Sequence, residues 1–303
     1  MKRGVVCGVA AYAMWGLFPL YWPLLKPAGA GEILAHRIMW SLVAVAAVLA
    51  ARRSRGWLRT LGWRRGVLLA LAALVISVNW GTYIYAVNSG RTIECALGYF
   101  VNPLISVVFG VVVFRERLRR WQWAAVGMEA AAVVALTAGY GRPPWIALVL
   151  ALAFALYGLL KKFADMPSAE SLAVETAVMF LPALGFALLL EGRGDAAFGH
   201  HGVGHAVLLA GAGIVTAVPL MLFNAAAVRL PMTVVGMLQY LAPVLQFAIG
   251  LFVQHEEMPP SRWAGFLLVW LALVTLTWDG LRLARRTAER TGRDRLEGTL
   301  QRH

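Results

Sequence analysis

Residues Leu97–Thr137 recur, faintly, 140 positions later. Set against Met237–Thr277 without a gap, ten of 41 positions are identical, among them Pro103/Pro243, Gly110/Gly250, Glu116/Glu256 and Trp123/Trp263. The front of each half matches too, less cleanly. Ala11-Tyr-Ala-Met-Trp-Gly-Leu17 pairs with Ala153-Phe-Ala-Leu-Tyr-Gly-Leu159, and Glu32-Ile-Leu-Ala35 pairs with Glu170-Ser-Leu-Ala173. A repeat of this length predicts two related halves. If each half holds an odd number of membrane spans, the second must enter the bilayer upside down.

Composition makes those spans the natural reading. The chain is 60% hydrophobic and only 14% charged, whereas soluble domains run nearer a quarter charged. Windows of about 20 apolar residues place ten spans. The first five are Gly4–Leu24, Ile33–Ala51, Gly66–Asn88, Thr92–Phe114 and Trp121–Gly139. The second five are Trp145–Leu160, Ser171–Leu190, His205–Ala226, Met232–Gln254 and Arg262–Leu281. The expected fold is therefore all-α: a polytopic membrane protein of ten transmembrane helices in two inverted five-helix repeats. The repeats occupy 4–139 and 145–281, and a basic cytoplasmic tail follows at 282–303.

Charge orients the chain. With the N-terminus inside, 22 of the 28 Lys and Arg residues fall on the cytoplasmic side and five outside (Lys26, Arg91, Arg142, Arg193 and Arg262), with Arg37 within a span. That asymmetry predicts both termini on the cytoplasmic side. The repeat agrees: Arg115-Glu-Arg-Leu-Arg-Arg120 is basic, while its partner His255-Glu-Glu-Met-Pro-Pro260 is acidic, as loops on opposite faces should be. The net charge of +13 is thus a topology signal. The bases are split among short loops and form no single groove, so nucleic acid is not an expected partner. The tail reads as an electrostatic anchor on acidic lipid. The first apolar run is long, recurs in the second half and lacks a small-residue cleavage site, so it reads as a span and not as a signal peptide.

Polar side chains within spans cost roughly 2.5–3.5 kcal/mol at the bilayer centre, so they usually face a cavity or a partner. They are His36, Arg37, Asn79, Glu94, Asn102, Glu129 and Glu175. The repeat matches Arg37 with Glu175, one near each face, where they would charge the two mouths of one pathway or else snorkel and pair locally. Cys95, Tyr99, Asn102 and Ser106 form one helical stripe, spaced i, i+4, i+7 and i+11. The 140-residue shift carries Tyr99 to Gln239 and Ser106 to Gln246, beside the intraspan prolines Pro103 and Pro243. Each proline frees a main-chain carbonyl. The competing reading is interhelical bonding without a cavity. Asn79 and Tyr83 share a face of span three, and Trp15, Trp80, Tyr157 and Tyr240 would supply aromatic walls for a flat or cationic solute. Glu94 and Glu129 are the candidate proton-coupling carboxylates.

Other chemistries lack their motifs. His200, His201 and His205 sit in a Gly-rich outer loop, without the His-Glu-x-x-His pattern of a zinc site, and no metal is expected. No P-loop occurs, so no ATP-driven pump is expected, nor any cofactor. Cys7 and Cys95 both fall within spans and imply no disulfide framework. The acids are scattered in depth, which argues against a membrane-embedded enzyme.

From end to end, excluding the tail, the chain resembles the RarD branch of the EamA family, within the drug/metabolite transporter superfamily. The residues that carry the resemblance include Tyr12-Ala-Met-Trp-Gly-Leu-Phe-Pro-Leu-Tyr21, Glu32-Ile-Leu-Ala-His-Arg37, Asn79-Trp80, Glu94-Cys-Ala-Leu-Gly-Tyr-Phe-Val-Asn-Pro-Leu104, Glu175-Thr176, Ala212-Gly-Ile-Val-Thr216 and Gln239-Tyr240. The resemblance implies an inner-membrane carrier with its substrate cavity between the halves. Two departures stand out: the family's Gly-Glu after span four is Arg115-Glu116 here, and after span nine it is His255-Glu256. The expectation is a permease or exporter of a small metabolite or drug-like solute, working by alternating access as a monomer of two pseudo-symmetric halves. Arg37 would complement an anionic or zwitterionic solute, Asn79, Tyr83, Tyr99, Asn102, Gln239 and Tyr240 would shape the cavity, and Glu175 would charge its other mouth. A lipid flippase is the alternative.

Overall fold

The computed structural model describes residues 2–53, 56, 61–115, 117–227, 229–230 and 232–300. Glu116, together with the inner-loop bases Arg55 and Arg59, lies outside the described residues. All regular elements among those described are helical. They are α1 (Lys2–Tyr21), a 3-10 turn (Trp22–Leu25), α2 (Ala30–Ala51), α3 (Trp63–Asn88), α4 (Thr92–Phe114), α5 (Arg120–Tyr140), α6 (Trp145–Ala164), α7 (Ser168–Arg193) and α8 (Gly202–Ala227). Then follow α9 (Met232–Leu238), α10 (Leu241–Ala248) with a π-helical turn (Ile249–Val253), and α11 (Pro260–Leu300).

Eight of the described helices are long and apolar enough to cross a membrane: α1 with its 3-10 turn, α2, α3, α4, α6, α7, α8, and α11 over Pro260–Gly280. α5 is 21 residues long but carries Gln122 and Glu129, which lower its hydropathy, and it is not among the eight. The ninth expected span is broken at Gln239-Tyr240. Pro243 has no N–H for the Gln239 carbonyl four residues earlier, and the helix parts there. Pro103 frees the Tyr99 carbonyl in the same way, yet α4 runs on unbroken.

The helices repeat as the sequence does. α4 and α9 start 140 residues apart, at Thr92 and Met232, and so do α5 and α11, at Arg120 and Pro260. Arg115 and His255, also 140 apart, are both left-handed, with φ of 54° and 53°. Both loops hold a backbone conformation that suits glycine.

Burial is the reverse of a soluble bundle. Large apolar side chains point outward, with Leu181 73% and Val6 66% exposed, while Glu32, Arg37, Asn79, Glu94 and Glu175 are buried. Small residues hold the interior. A Cβ on Gly213 of α8 would sit 2.3 Å from the Trp40 carbonyl carbon of α2, and one on Gly98 of α4 would sit 2.8 Å from the Ala147 oxygen of α6.

The chain divides into two compact units. The larger comprises residues 1–109 and 144–258, the smaller residues 110–143 and 259–303. In the larger, α1 packs on α8 and α10, α2 on α7 and α8, and α3 on α6 and α7. In the smaller, α5 packs along α11. Gly265 there lies against Leu136, and Arg119 pairs with the buried Asp279 at 2.8 Å.

Two expectations follow from this backbone. Gly213→Ala should abolish monodisperse protein on size-exclusion chromatography, while Gly204→Ala, on the same helix with open space around it, should leave it intact. Replacing Arg115 or His255 by Gly should each relieve about 1 kcal/mol of left-handed strain. Thermal unfolding should register a rise of about 2 °C for each, and His255→Ala should show none.

Candidate functional site

The larger unit gathers most of the polar residues singled out from sequence. Arg37 on α2 is 3% exposed. Its Nε donates to Thr216 Oγ1 at 2.9 Å, and that hydroxyl in turn donates to the Ala212 carbonyl on α8 at 2.8 Å. Its guanidinium lies 4.0 Å from the ring centre of Trp80, 5.1 Å from Trp22 and 5.7 Å from Phe18. Aromatic faces attract a cation by their quadrupole. Yet among the described residues no carboxylate forms an ion pair with Arg37. The cation is solvated by rings and one hydroxyl.

Beside it, Asn79 and Tyr99 meet across α3 and α4. Tyr99 Oη donates to Asn79 Oδ1 at 3.2 Å, and Asn79 Nδ2 donates to the Leu150 carbonyl of α6 at 3.0 Å. Asn102 Nδ2, one turn further along the stripe, donates to the Ala151 carbonyl at 3.1 Å. The Tyr83 ring stands edge-on to Tyr99 at 5.8 Å. Its hydroxyl, like the indole N–H of Trp22, is buried without a hydrogen-bond partner among the described residues. Trp22, Tyr83, Cys95 and Leu150 belong to one buried cluster, against which Tyr99 and Trp15 pack.

Glu175, matched to Arg37 by the repeat, has the opposite environment. One oxygen takes the Lys161 ammonium at 2.8 Å and the Ser171 hydroxyl at 2.7 Å; the other takes the Tyr157 hydroxyl at 3.0 Å. Lys161 Nζ also donates to Ser171 Oγ. Lys161 reads as a loop base from sequence, but α6 extends past Leu160 to Ala164 and brings it inward. Glu175 is neutralised and fully bonded; Arg37 has no such counterion.

The remaining candidates are spread through the fold. Glu94 accepts the Ile146 N–H at 3.2 Å in the first turn of α6, a favourable place for a carboxylate. Gln239 and Tyr240 form the break between α9 and α10. Glu129, on α5 in the smaller unit, is 6% exposed, and neither carboxylate oxygen has a partner among the described residues. In the outer loop expected from sequence, His200 pairs with Glu191 at 3.0 Å, and His205 Nε2 lies 2.9 Å from the Leu25 carbonyl.

Glu32, Gln254 and Glu256, which the sequence does not mark as site residues, prove to be fasteners, as does Gln246 of the second-half stripe. Glu32 Oε1 accepts the Ala197 and Phe198 N–H groups at 2.7 and 2.9 Å. Glu256 accepts both N–H groups at the start of α4, from Thr92 and from Ile93, the latter at 3.1 Å. Gln254 takes the Thr92 hydroxyl at 2.5 Å and donates to the Pro19 carbonyl at 3.2 Å. Gln246 Nε2 donates to the Trp15 carbonyl at 3.2 Å. The last two acceptors had a signal in the sequence. Pro19 leaves the Trp15 carbonyl without its i+4 donor, and Pro23 does the same to Pro19.

A small open cavity of about 40 Å³ lies between α2, α7 and α8. Val45, Leu172, Leu220 and Met221 wall it, and Arg52 stands among its lining. Leu220 and Trp80 pack against the same buried group, Val45, Leu49, Leu172 and Ala173. Trp80, the ring nearest Arg37, therefore packs on the buried group behind this cavity without lining it. Arg37 and Arg52, 15 residues apart on α2, lie about 22 Å apart along its axis.

Known proteins place this architecture. A solved crystal structure aligns with a TM-score of 0.59 at 18% identity, covering 90% of this chain and 96% of that one, which shows a shared fold. Protein RarD of Streptomyces exfoliatus is 59% identical over 95% of this chain and 92% of its own length. The uncharacterized transporter YojE of Bacillus subtilis is 45% identical over 94% and 96%. A protein of Pseudomonas aeruginosa named chloramphenicol-sensitive protein RarD is 32% identical over 95% and 98%. Residues 2–138 and again 143–278 match the EamA-like transporter family. The chain belongs to the EamA-like transporter family.

Proposed function

We propose that the protein is an inner-membrane secondary transporter that carries a small metabolite or drug-like solute by alternating access. In this reading ten spans form two inverted five-helix repeats, with both termini cytoplasmic. α5 is the fifth span, and α9, α10 and the π turn together make the ninth.

The observation that carries it is the reciprocity of helix packing. Exchanging the halves turns α1 against α8 into α6 against α3, and α2 against α8 into α7 against α3; all four pairs are in contact. The pairs α2–α7 and α5–α11 map onto themselves. A two-fold relation between repeats produces this pattern, and repeats of odd span number related that way are inverted. The polar interior of helices that are apolar outside supports a solute pathway. The discontinuity at Gln239-Tyr240 resembles the broken helices at which carriers bind their solutes.

In the proposed orientation the cavity beside Arg52 faces the cytoplasm. The opposite end is closed by Glu256 and Gln254, which strap the end of span nine to the start of span four. Opening that end requires the Thr92 and Ile93 N–H groups to leave the Glu256 carboxylate. Charge-assisted bonds of this kind are worth about 1.5–3 kcal/mol each, a barrier that solute binding can offset. Of the two candidate coupling carboxylates, Glu129 suits proton exchange better, because Glu94 already holds the α6 terminus.

Reconstitution tests the reading. In vesicles, a variant lacking Cys7 and Cys95 but carrying Leu172→Cys should react with an impermeant maleimide from the cytoplasmic side. A cysteine at Trp15 should be protected from outside, and Glu256→Gln should raise its outside labelling several-fold. Labelling that never changes side, together with no movement of any solute in a panel including chloramphenicol, would contradict alternating access. Lipid exchange between leaflets would point to a flippase instead.

A further inference from the structure

We propose that Arg37, Trp22 and Tyr83 form a binding site for the carboxylate of an organic solute whose remaining body is apolar. This rests on the transporter reading and narrows it to a substrate class.

Arg37 is 3% exposed and among the described residues forms no ion pair, whereas its repeat counterpart Glu175 has Lys161, Ser171 and Tyr157 around it. A buried charge is normally paired, because desolvation without a counterion is expensive. Rings at 4.0, 5.1 and 5.7 Å offset part of that cost. They do not supply a negative charge, so the Arg37 guanidinium is buried without a counterion among the described residues.

Two further groups have the same bias. Trp22 is fully buried and Tyr83 is 2% exposed. The indole N–H and the phenol O–H are both without a hydrogen-bond partner among the described residues. A buried donor left unmade costs about 1–3 kcal/mol, and two of them packed in one cluster beside an unpaired guanidinium share one remedy. An oxyanion accepts from an N–H, an O–H and a guanidinium together. An indole N–H can only donate, so at Trp22 a cationic or purely donor group finds nothing to bond.

The walls exclude the cationic alternative on a second ground. The aromatic faces that would hold an ammonium already hold Arg37. A second cation there would meet like charge. The rest of the surround, Phe18, Leu25, Ile33, Ile84 and Val87, is apolar. The inner cavity is apolar too, with the cation Arg52 among its lining, so an anion entering from that side meets favourable charge first.

Phenylacetate, its neutral amide phenylacetamide, phenethylamine and chloride, measured by calorimetry and thermal shift on the full chain in nanodiscs, test this. Phenylacetate should bind and stabilise, and the other three should not. Tyr83→Phe deletes a hydroxyl that makes no bond to the described residues, so it should not lower the stability of the ligand-free protein; Trp22→Phe also removes buried ring volume and is read on affinity alone. Each should raise the phenylacetate Kd about tenfold, a loss of 1.4 kcal/mol. Arg37→Met should abolish binding, and Arg37→Lys should retain a weakened form. The proposal is overturned if phenethylamine or chloride stabilises as well as phenylacetate does. It is equally overturned if phenylacetate fails to bind, or binds the two donor variants unchanged. Binding without translocation of any solute in vesicles would keep the site and remove the transporter reading; translocation without phenylacetate binding would do the reverse.

Discussion

Main-chain groups that a helix cannot satisfy by itself govern this fold, and each half of the chain relies on the other to satisfy them. Gln246 and Gln254 of the second half take the Trp15 and Pro19 carbonyls that Pro19 of α1 and Pro23 of the following 3-10 turn leave open. Glu256 takes the first N–H groups of α4, and Glu94 returns the service to α6. Asn79 and Asn102 reach the Leu150 and Ala151 carbonyls, and Glu32 reaches the Ala197 and Phe198 amides. In lipid no water stands by as a substitute, so each such bond is worth keeping. The two sequence halves are therefore interlocked, and neither has the donors and acceptors to complete itself.

That interlock also explains how the protein can hold polar residues inside apolar helices and still have charge to spare. Most of the buried polar atoms are consumed by fastening. What is left over is uneven: Glu175 is surrounded by donors, while Arg37 has rings, one hydroxyl and, among the described residues, no carboxylate. The repeat put both residues at equivalent places, but only one of them has been neutralised.

Much of the architecture was legible because it rests on periodicities that survive divergence. The 140-residue offset in sequence reappears as helix starts at Thr92 and Met232 and as left-handed residues at Arg115 and His255. The stripe through Tyr99 and Asn102 does face other helices, through Asn79 and Ala151. The break at Gln239-Tyr240 was less visible, because Pro103 and Pro243 look alike in sequence and only one parts its helix. The fasteners were hidden for a different reason. Glu32, Gln254 and Glu256 stand near helix ends, where a polar residue is unremarkable, and their partners are backbone atoms that no side-chain pattern encodes. Lys161 was hidden by a helix boundary that lies four residues further on than the apolar run suggests. Trp22 and Thr216 carry no charge, so nothing in the sequence ties them to Arg37.

Co-expression of residues 1–142 and 143–303 as separate chains tests the interlock most directly. The account predicts that the two fragments co-purify as a one-to-one complex from the membrane, and that either expressed alone is degraded or aggregates. A single fragment that accumulates alone as a monodisperse, cooperatively unfolding species would show that a half completes its own hydrogen bonds, and would contradict the account at its base.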